Sequence, residues 1–338
     1  MTTDPPAMRA IVQYSYGAPR DVLRPGQVPR PQVGDGDVLI RVRATSVNTP
    51  DWAIVAGVPV ILRLGSGLRR PRQPVRGSDV AGIVEAVGPR VTGLRSGDEV
   101  FGLLWGSAAK SRPGAFAEYA VVPESQVVRK PAALSFEDAG AAVMSGLTAL
   151  IAMRDVGQVG TGSRVLINGA SGGVGTMAVQ IAVSMGAEVT GVCGTGNVEL
   201  VRSLGAARVI DYTTEDFTLS QERYDVILDN VLNHPPSATA RLLRPRGVLI
   251  PNSIGNTGGL LAALPRIARA MLMGLGSTTV KVVTLKVNRE NLSALASLLE
   301  SGAVRVITDT TYPFDDTAAA VARMLGHHAR GQVAITVP

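Results

Sequence analysis

The chain has 338 residues, of which 46% are hydrophobic and 18% charged, a balance that excludes a disordered chain and suits folded globular domains. At roughly 100–200 residues per domain this length predicts two domains, each able to bury its own core. The net charge of +6 favours anionic ligands, but the basic residues are scattered apart from "LRRPRQPVR" (68–76). No aromatic-rich stacking surface accompanies them, so nucleic acid is not an expected partner.

The cysteine and histidine inventory narrows the chemistry. Cys193 is the only cysteine, so no intrachain disulfide can form. His234, His327 and His328 all fall in the last third, and with one Cys they do not assemble a zinc site of ordinary ligand spacing. "MTTDPPAMRAIVQ" has neither an apolar signal core nor an Arg-rich presequence, and no apolar run approaches the ~20 residues that span a bilayer. The expectation is a cytoplasmic protein without stable membrane insertion.

Up to residue 130 the pattern is short apolar segments between Gly, Pro and Asp. "DVLIRVRATSVN" (37–48), "DVAGIVEAVG" (79–88), "DEVFGLL" (98–104) and "FAEYAVVP" (116–123) read as strands of a β-rich, barrel-like domain. The Gly/Pro/Arg-rich stretch between Val55 and Gly77 reads as a surface excursion. A different pattern follows. "RVLIN" (164–168), "TMAVQIAVSM" (176–185) and "AEVTGVC" (187–193) make a βαβ unit, with Gly169, Gly172, Gly173, Val174 and Gly175 at its strand-to-helix turn. Glycines there let the backbone approach a pyrophosphate at the helix N-terminus, although tight turns alone also call for Gly. A short-chain dehydrogenase would carry Tyr-x-x-x-Lys downstream, and no Tyr here has a Lys four residues later.

"ARVIDY" (207–212), "YDVILDNV" (224–231), "RGVLIPNSI" (246–254) and "TVKVVTL" (279–285) supply further apolar runs. Six strands with crossover helices predict an α/β, doubly wound Rossmann domain with a parallel six-stranded sheet. The end of its second strand bears on the nucleotide. An acid there accepts from the ribose hydroxyls of NAD and repels the 2′-phosphate of NADP. "VCGTGNVELVRS" has no acid before Glu199, while Thr195 and Asn197 donate without adding negative charge, which favours NADPH. Arg202 and Arg208 add charge nearby or are solvated surface residues. "GGLLAALPRIARAMLMGLG" (258–276) reads as a buried or subunit-facing helix, with contact to a lipid or a hydrophobic substrate tail as the alternative.

Several motifs in fixed order resemble the medium-chain dehydrogenase/reductases, and within them the zinc-free quinone oxidoreductase branch. They are "SVNTPDW" (46–52), "GSDVAGIVEAVG" (77–88), "GDEVFG" (97–102), "GAFAEYAVVP" (114–123), "AALSFEDAGAAVMSGLTAL" (132–150) and the C-terminal segment from Asn288. The resemblance implies a GroES-like catalytic domain from residues 1–130 and 288–338, a Rossmann domain from 131–287, ligand binding between the two, and a homodimer. It implies Asn48 beside the nicotinamide, on the carboxamide or the substrate oxygen. Asp51 has either a capping role or a proton relay, and Thr148 either a hydroxyl facing the nicotinamide or helix packing. It further implies Tyr212 beside the adenosine phosphate, and Asn230, Ser253 and Ile254 where the nicotinamide ribose passes. Trp52 serves as a substrate wall or as core. Gln332 stands where relatives often have Lys, and His327–His328 and Cys193 read as surface and filler residues.

Without a metal to polarise a carbonyl, hydride transfer suits an acceptor that is already activated. The leading expectation is NADPH-dependent reduction of a quinone or the C=C bond of an α,β-unsaturated carbonyl. Two rivals stay open: an enoyl-thioester reductase, and an NADPH-binding regulatory protein without turnover.

Overall fold

The computed structural model describes residues 6–58, 60, 63–106, 112–253, 279–326 and 329–338. The chain forms two compact units, one of Met1–Met144, Val287–Glu300 and Thr308–Pro338, the other of Ser145–Lys286 and Ser301–Ile307.

In the first unit β1 (Ala7–Gln13) and β2 (Leu23–Pro29) form an antiparallel pair. β3 (Asp37–Ser46) is followed by helix α1 (Thr49–Ala56), then by β4 (Asp79–Val87), β5 (Glu99–Leu103), β6 (Tyr119–Pro123) and β7 (Val127–Arg129). β3 is the central strand, pairing with β4 along one edge and β6 along the other. Val38, Leu39 and Ile40 are therefore buried on both faces, and alternation begins only at Arg41.

Helix α2 (Phe136–Leu150) runs on as a π-helical segment over Ile151–Val156. These 21 residues correct one expectation, because by length and composition they are apolar enough to cross a membrane. Their most apolar window is 83% buried inside the protein, which is the environment of a core helix.

The second unit holds β8 (Arg164–Asn168), α3 (Gly173–Ser184), β9 (Glu188–Cys193), α4 (Val198–Ser203), β10 (Arg208–Asp211), β11 (Tyr224–Asp229), β12 (Leu243–Pro251) and β13 (Thr279–Val280). All six strands are parallel, in the order β10-β9-β8-β11-β12-β13. This is the doubly wound arrangement, whose direction of winding reverses between β8 and β11. Strands covered on both faces should read as unbroken apolar runs, and "VLI" of β8 and "VTGVC" of β9 are buried throughout. Leu166, Val192, Ile210, Phe217, Tyr224, Ile227 and Leu249 form the core cluster beneath. The strand expected over 279–285 is shorter than its pattern, since only Thr279 and Val280 pair with β12.

The C-terminal segment supplies α5 (Arg289–Glu300), β14 (Thr308–Pro313), α6 (Thr317–Leu325) and β15 (Gln332–Thr336). β15 runs antiparallel to β3 beyond the end of β6, and β14 lies parallel to β15, so the first unit's sheet is closed by residues almost 300 positions downstream. Arg305 stays with the second unit. Its amide donates to Gln180 Oε1 (2.9 Å), and Gln180 Nε2 returns a bond to the Arg305 carbonyl (3.0 Å). Ile254, the apolar 258–276 segment and the His327–His328 pair lie outside the described residues.

Candidate functional site

In the second unit the site begins where β8 turns into α3. Gly169 has φ +75°, a left-handed conformation that a side chain would strain. Gly172 is the N-cap of α3 and offers no side-chain cap, and Gly172, Gly173 and Val174 are half-buried. Gly175 is buried against the turn, and a Cβ on it would stand 2.1 Å from the Gly169 carbonyl oxygen. The helix is thus entered on bare backbone at the switch point of the sheet, an arrangement that fits the diphosphate of a dinucleotide.

The end of β9 differs from its linear reading. Thr195 is exposed and Asn197 half-buried, as suits ligand donors. However, the Thr195 hydroxyl lies 2.9 Å from that of Thr213, which donates to Asp211 Oδ1 (2.8 Å). Asp211 closes β10 and is the register partner of Cys193, so the fold brings a carboxylate beside a strand end that carries none itself. Hydrogen bonds from Thr195 and from Thr213 hold Asp211 below the usual carboxylate range, so it is charged at neutral pH. Tyr212 is 56% exposed, with its hydroxyl 3.1 Å from the point where a Cβ on Gly194 would stand. Arg202 and Arg208 are each engaged by a carboxylate on the surface, Glu199 (2.6 Å) and Glu215 (3.0 Å).

Amides fasten the carboxyl ends of the central strands. Asn168 Nδ2 donates to Asp229 Oδ1 (2.8 Å), and Asn252 Nδ2 donates to Asn230 Oδ1 (2.8 Å). Asn230 Nδ2 in turn reaches the Asn168 carbonyl (3.2 Å). Burial pushes the Asp229 carboxyl up, against the donors Leu232 N, Val231 N and Asn168. Asn230 and Ser253 are half-buried at this edge, and Thr148 is the one half-buried residue in an otherwise buried run from Ala139 to Leu150. Asn168 and Asp229 were not expected from sequence. Their signal was a polar residue at the end of each buried strand, where the backbone leaves the sheet.

The first unit contains a second polar cluster, around Asp79. This residue opens β4 and is fully buried; its Oδ2 accepts from Ser46 Oγ (2.7 Å) and Asn48 Nδ2 (3.1 Å), and its Oδ1 from the Met144 amide (3.0 Å). Asn48 Nδ2 also donates to Ser46 Oγ (3.0 Å). The Asn48 amide nitrogen thus faces Asp79 and Ser46. Both amide hydrogens are spent inside the unit, and the Asn48 side chain also accepts from the Asp51 backbone amide as the N-cap of α1. Asp51 is the third residue of α1; its Oδ2 accepts from the Asn48 backbone amide (2.9 Å) and its Oδ1 from Ser78 Oγ (2.7 Å). That is a capping contact on the N-terminus of α1.

Burial raises the Asp51 carboxyl to about 6 and, with the charge of Asp51 adding to it, the Asp79 carboxyl to about 7. Arg76 lies close by, with its own pKa lowered by burial. Ser46, Ser78, Arg76 and Asp79 were missed as a group. The available signal was an acid at the head of the buried run "DVAGIV". Trp52, only 7% exposed, belongs to the core. Cys193 is buried, and burial first and Asp211 second push its thiol up to about 11, far from a nucleophile's range.

Residues 34–132 match the family described as alcohol dehydrogenase GroES-like domain, and residues 204–335 that described as zinc-binding dehydrogenase. The zinc of that description does not suit this donor set, since among the described residues no three His, Cys, Asp or Glu gather to hold an ion. The chain is similar to the chloroplast envelope quinone oxidoreductase homolog of Arabidopsis thaliana, 31% identical over 97% of this chain and 98% of that protein. It is also similar to the 2-methylene-furan-3-one reductase of Solanum lycopersicum, 31% identical over 98% of this chain and 79% of that one. Among solved structures, the quinone oxidoreductase of Escherichia coli complexed with NADPH superposes with a TM-score of 0.80 at 25% identity, covering 97% of this chain and all of that one. The shared architecture of both units and these matches along nearly the whole length place the chain in the quinone oxidoreductase branch of the medium-chain dehydrogenase/reductase superfamily.

Proposed function

We propose that the protein is a zinc-independent, NADPH-dependent oxidoreductase that transfers hydride to a quinone or to the C=C bond of an α,β-unsaturated carbonyl. The observation that carries this reading is the uncapped, glycine-walled β8–α3 turn at the switch point of the sheet. Relatives named for quinone and enone reduction, and one named with NADPH, support the acceptor class and the nucleotide.

In this reading the backbone of Gly169, Gly172, Gly173, Val174 and Gly175 receives the diphosphate. Thr195, Asn197 and Tyr212 meet the adenosine phosphate, and Asn230, Ser253 and Ile254 border the nicotinamide ribose. Asn48, held by Ser46 and Asp79, lies beside the nicotinamide, on the carboxamide or the substrate oxygen. Thr148 presents its hydroxyl to the nicotinamide end, and Asp51 holds the backbone from which Asn48 projects. The nicotinamide itself supplies the hydride, so the chain's task is to orient the acceptor and exclude competing reactions. Quinones and enones fit because the added electron pair delocalises onto their own oxygen without a Lewis acid.

The test is NADPH oxidation after exhaustive chelation, across a panel of quinones, free enones and enoyl thioesters. Turnover with the first two classes is expected. Turnover with thioesters alone reassigns the protein to an enoyl-thioester reductase, and NADPH binding without any turnover makes it a binding protein. The same proposal includes a cytoplasmic homodimer, which a sedimentation mass near the 35.1 kDa of one chain would remove.

A further inference from the structure

We propose that residues 63–72, a short helix and the loop after it, form with Val60 a docking surface by which the protein adsorbs to an anionic lipid bilayer. Between Trp52 and Ser78 the chain carries Arg63, Arg69, Arg70, Arg72 and Arg76 and no Asp or Glu. Two of these are engaged internally. Arg63 donates to the Gly57 carbonyl (2.9 Å) and stacks 4.5 Å from the centre of the Tyr16 ring, while Arg76 is buried beside Gln13 and Gln73. Arg69, Arg70 and Arg72 are exposed, and none has an ion-pair partner among the described residues.

Among these arginines stand Val60, Leu64 and Leu68, which are 50%, 64% and 65% exposed. Their exposure is built in, because the segment is tied down. The Tyr16 hydroxyl donates to the Gly67 carbonyl (2.6 Å) and lies 3.0 Å from Ser66 Oγ. The amides of Gly67 and Arg72 donate to the carbonyls of Arg63 and Ser66 (2.8 Å each), and the Gln13 amide holds Pro74 (2.8 Å). A tethered segment that keeps leucines in water forgoes the gain of burying them. That pattern signals a surface with a partner.

The chemistry of the segment selects the partner. Apolar side chains flanked by arginines match the boundary between acyl chains and anionic headgroups: the leucines enter the apolar layer, and the guanidinium groups pair with phosphates. Nucleic acid would call for stacking platforms, and no aromatic residue lies between 60 and 72. The contact is adsorption, distinct from insertion, and it concerns a different part of the chain from the nucleotide turn. It complements the reading above, in that a lipid-soluble quinone resides where such a surface docks.

The test is co-sedimentation of the full chain with phosphatidylcholine vesicles, with and without about one third phosphatidylglycerol. Binding to the anionic vesicles alone is expected. At about 1 kcal/mol per Arg, the triple variant Arg69→Glu, Arg70→Glu, Arg72→Glu should bind about a hundredfold more weakly. Leu64→Ser with Leu68→Ser should lose about tenfold and become fully releasable by salt. NADPH binding and turnover of a water-soluble quinone should be retained in both variants, which separates a failed surface from a failed reductase or a misfolded chain. The proposal is overturned if the wild type ignores anionic vesicles or if the Arg variant binds them undiminished. It is also overturned if the Leu variant changes oligomeric state while lipid binding is unaltered, since the patch would then belong to a second copy.

Discussion

Asp51 and Asp79 carry opposite consequences from the half-buried acids Asp98, Glu124, Asp211 and Asp309. Burial raises them from 3.8 to about 6 and about 7, so the folded chain holds protons that the unfolded chain has released. Their contribution to stability is therefore complete below pH 3.8 and is lost as pH rises through 6 and 7. Asp98, Glu124, Asp211 and Asp309 are lowered and act in the other sense, below about pH 4. The urea midpoint should thus fall between about pH 4 and pH 7. Asp51→Asn should flatten that slope by on the order of 3 kcal/mol, by the 1.36 kcal/mol that each pKa unit represents. An unchanged slope in the variant would mean that Asp51 does not hold its proton on folding. Asp79 also shows where residue-scale reading stopped. The motif "GSDVAG" marked the family, but a carboxylate accepting from residues 46, 48 and 144 is visible only once β3, β4 and α2 pack.

At the scale of elements, the β8–α3 turn and the β9–β10 pair have different sensitivities. Gly175→Ala puts a methyl group 2.1 Å from a carbonyl oxygen that cannot retreat, so about 3 kcal/mol of destabilisation is expected, with nucleotide affinity lost through displacement of the turn. Denaturant melts and a nucleotide titration check both. Asp211→Asn addresses the nucleotide itself: removing the charge at the strand end should raise affinity for NADPH several-fold relative to NADH, read from the two dissociation constants. A shift toward NADH would show that Asp211 does not face the adenosine ribose. The linear reading found no acid here because it followed one strand, whereas a parallel sheet sets the ends of neighbouring strands side by side. The same limit applies to the apolar helix Phe136–Val156, whose composition fits a bilayer and whose surroundings are a protein core.

For the whole molecule, ligand linkage separates what the proposal needs from what it does not. NADPH at about a hundred times its dissociation constant should stabilise the unit that binds it by about 2.7 kcal/mol, seen as a higher melting temperature of one transition. A chelator should leave both transitions where they are, and a fall on chelation would reveal a structural ion. The expectation of two domains rests on the change from short, Gly-bounded strands to apolar runs alternating with helical segments, and the compact units depart from its bounds in placing residues 131–144 with the first and 301–307 with the second. The closure of the first sheet by β15 was legible only through resemblance, since nothing local in "QVAITV" says which strand it pairs with.

By itself the sequence determined a parallel sheet of six strands, the glycine turn and the scarcity of metal donors. These depend on local periodicity, on backbone conformation and on which side chains exist at all. The tertiary structure alone decided which acid stands beside Thr195 and which way the Asn48 amide faces. It also decided that Asp51 and Asp79 share one buried network, and that Leu64 and Leu68 stay in water. Each of these depends on the distance between residues far apart in the chain, which side-chain packing determines and composition does not encode.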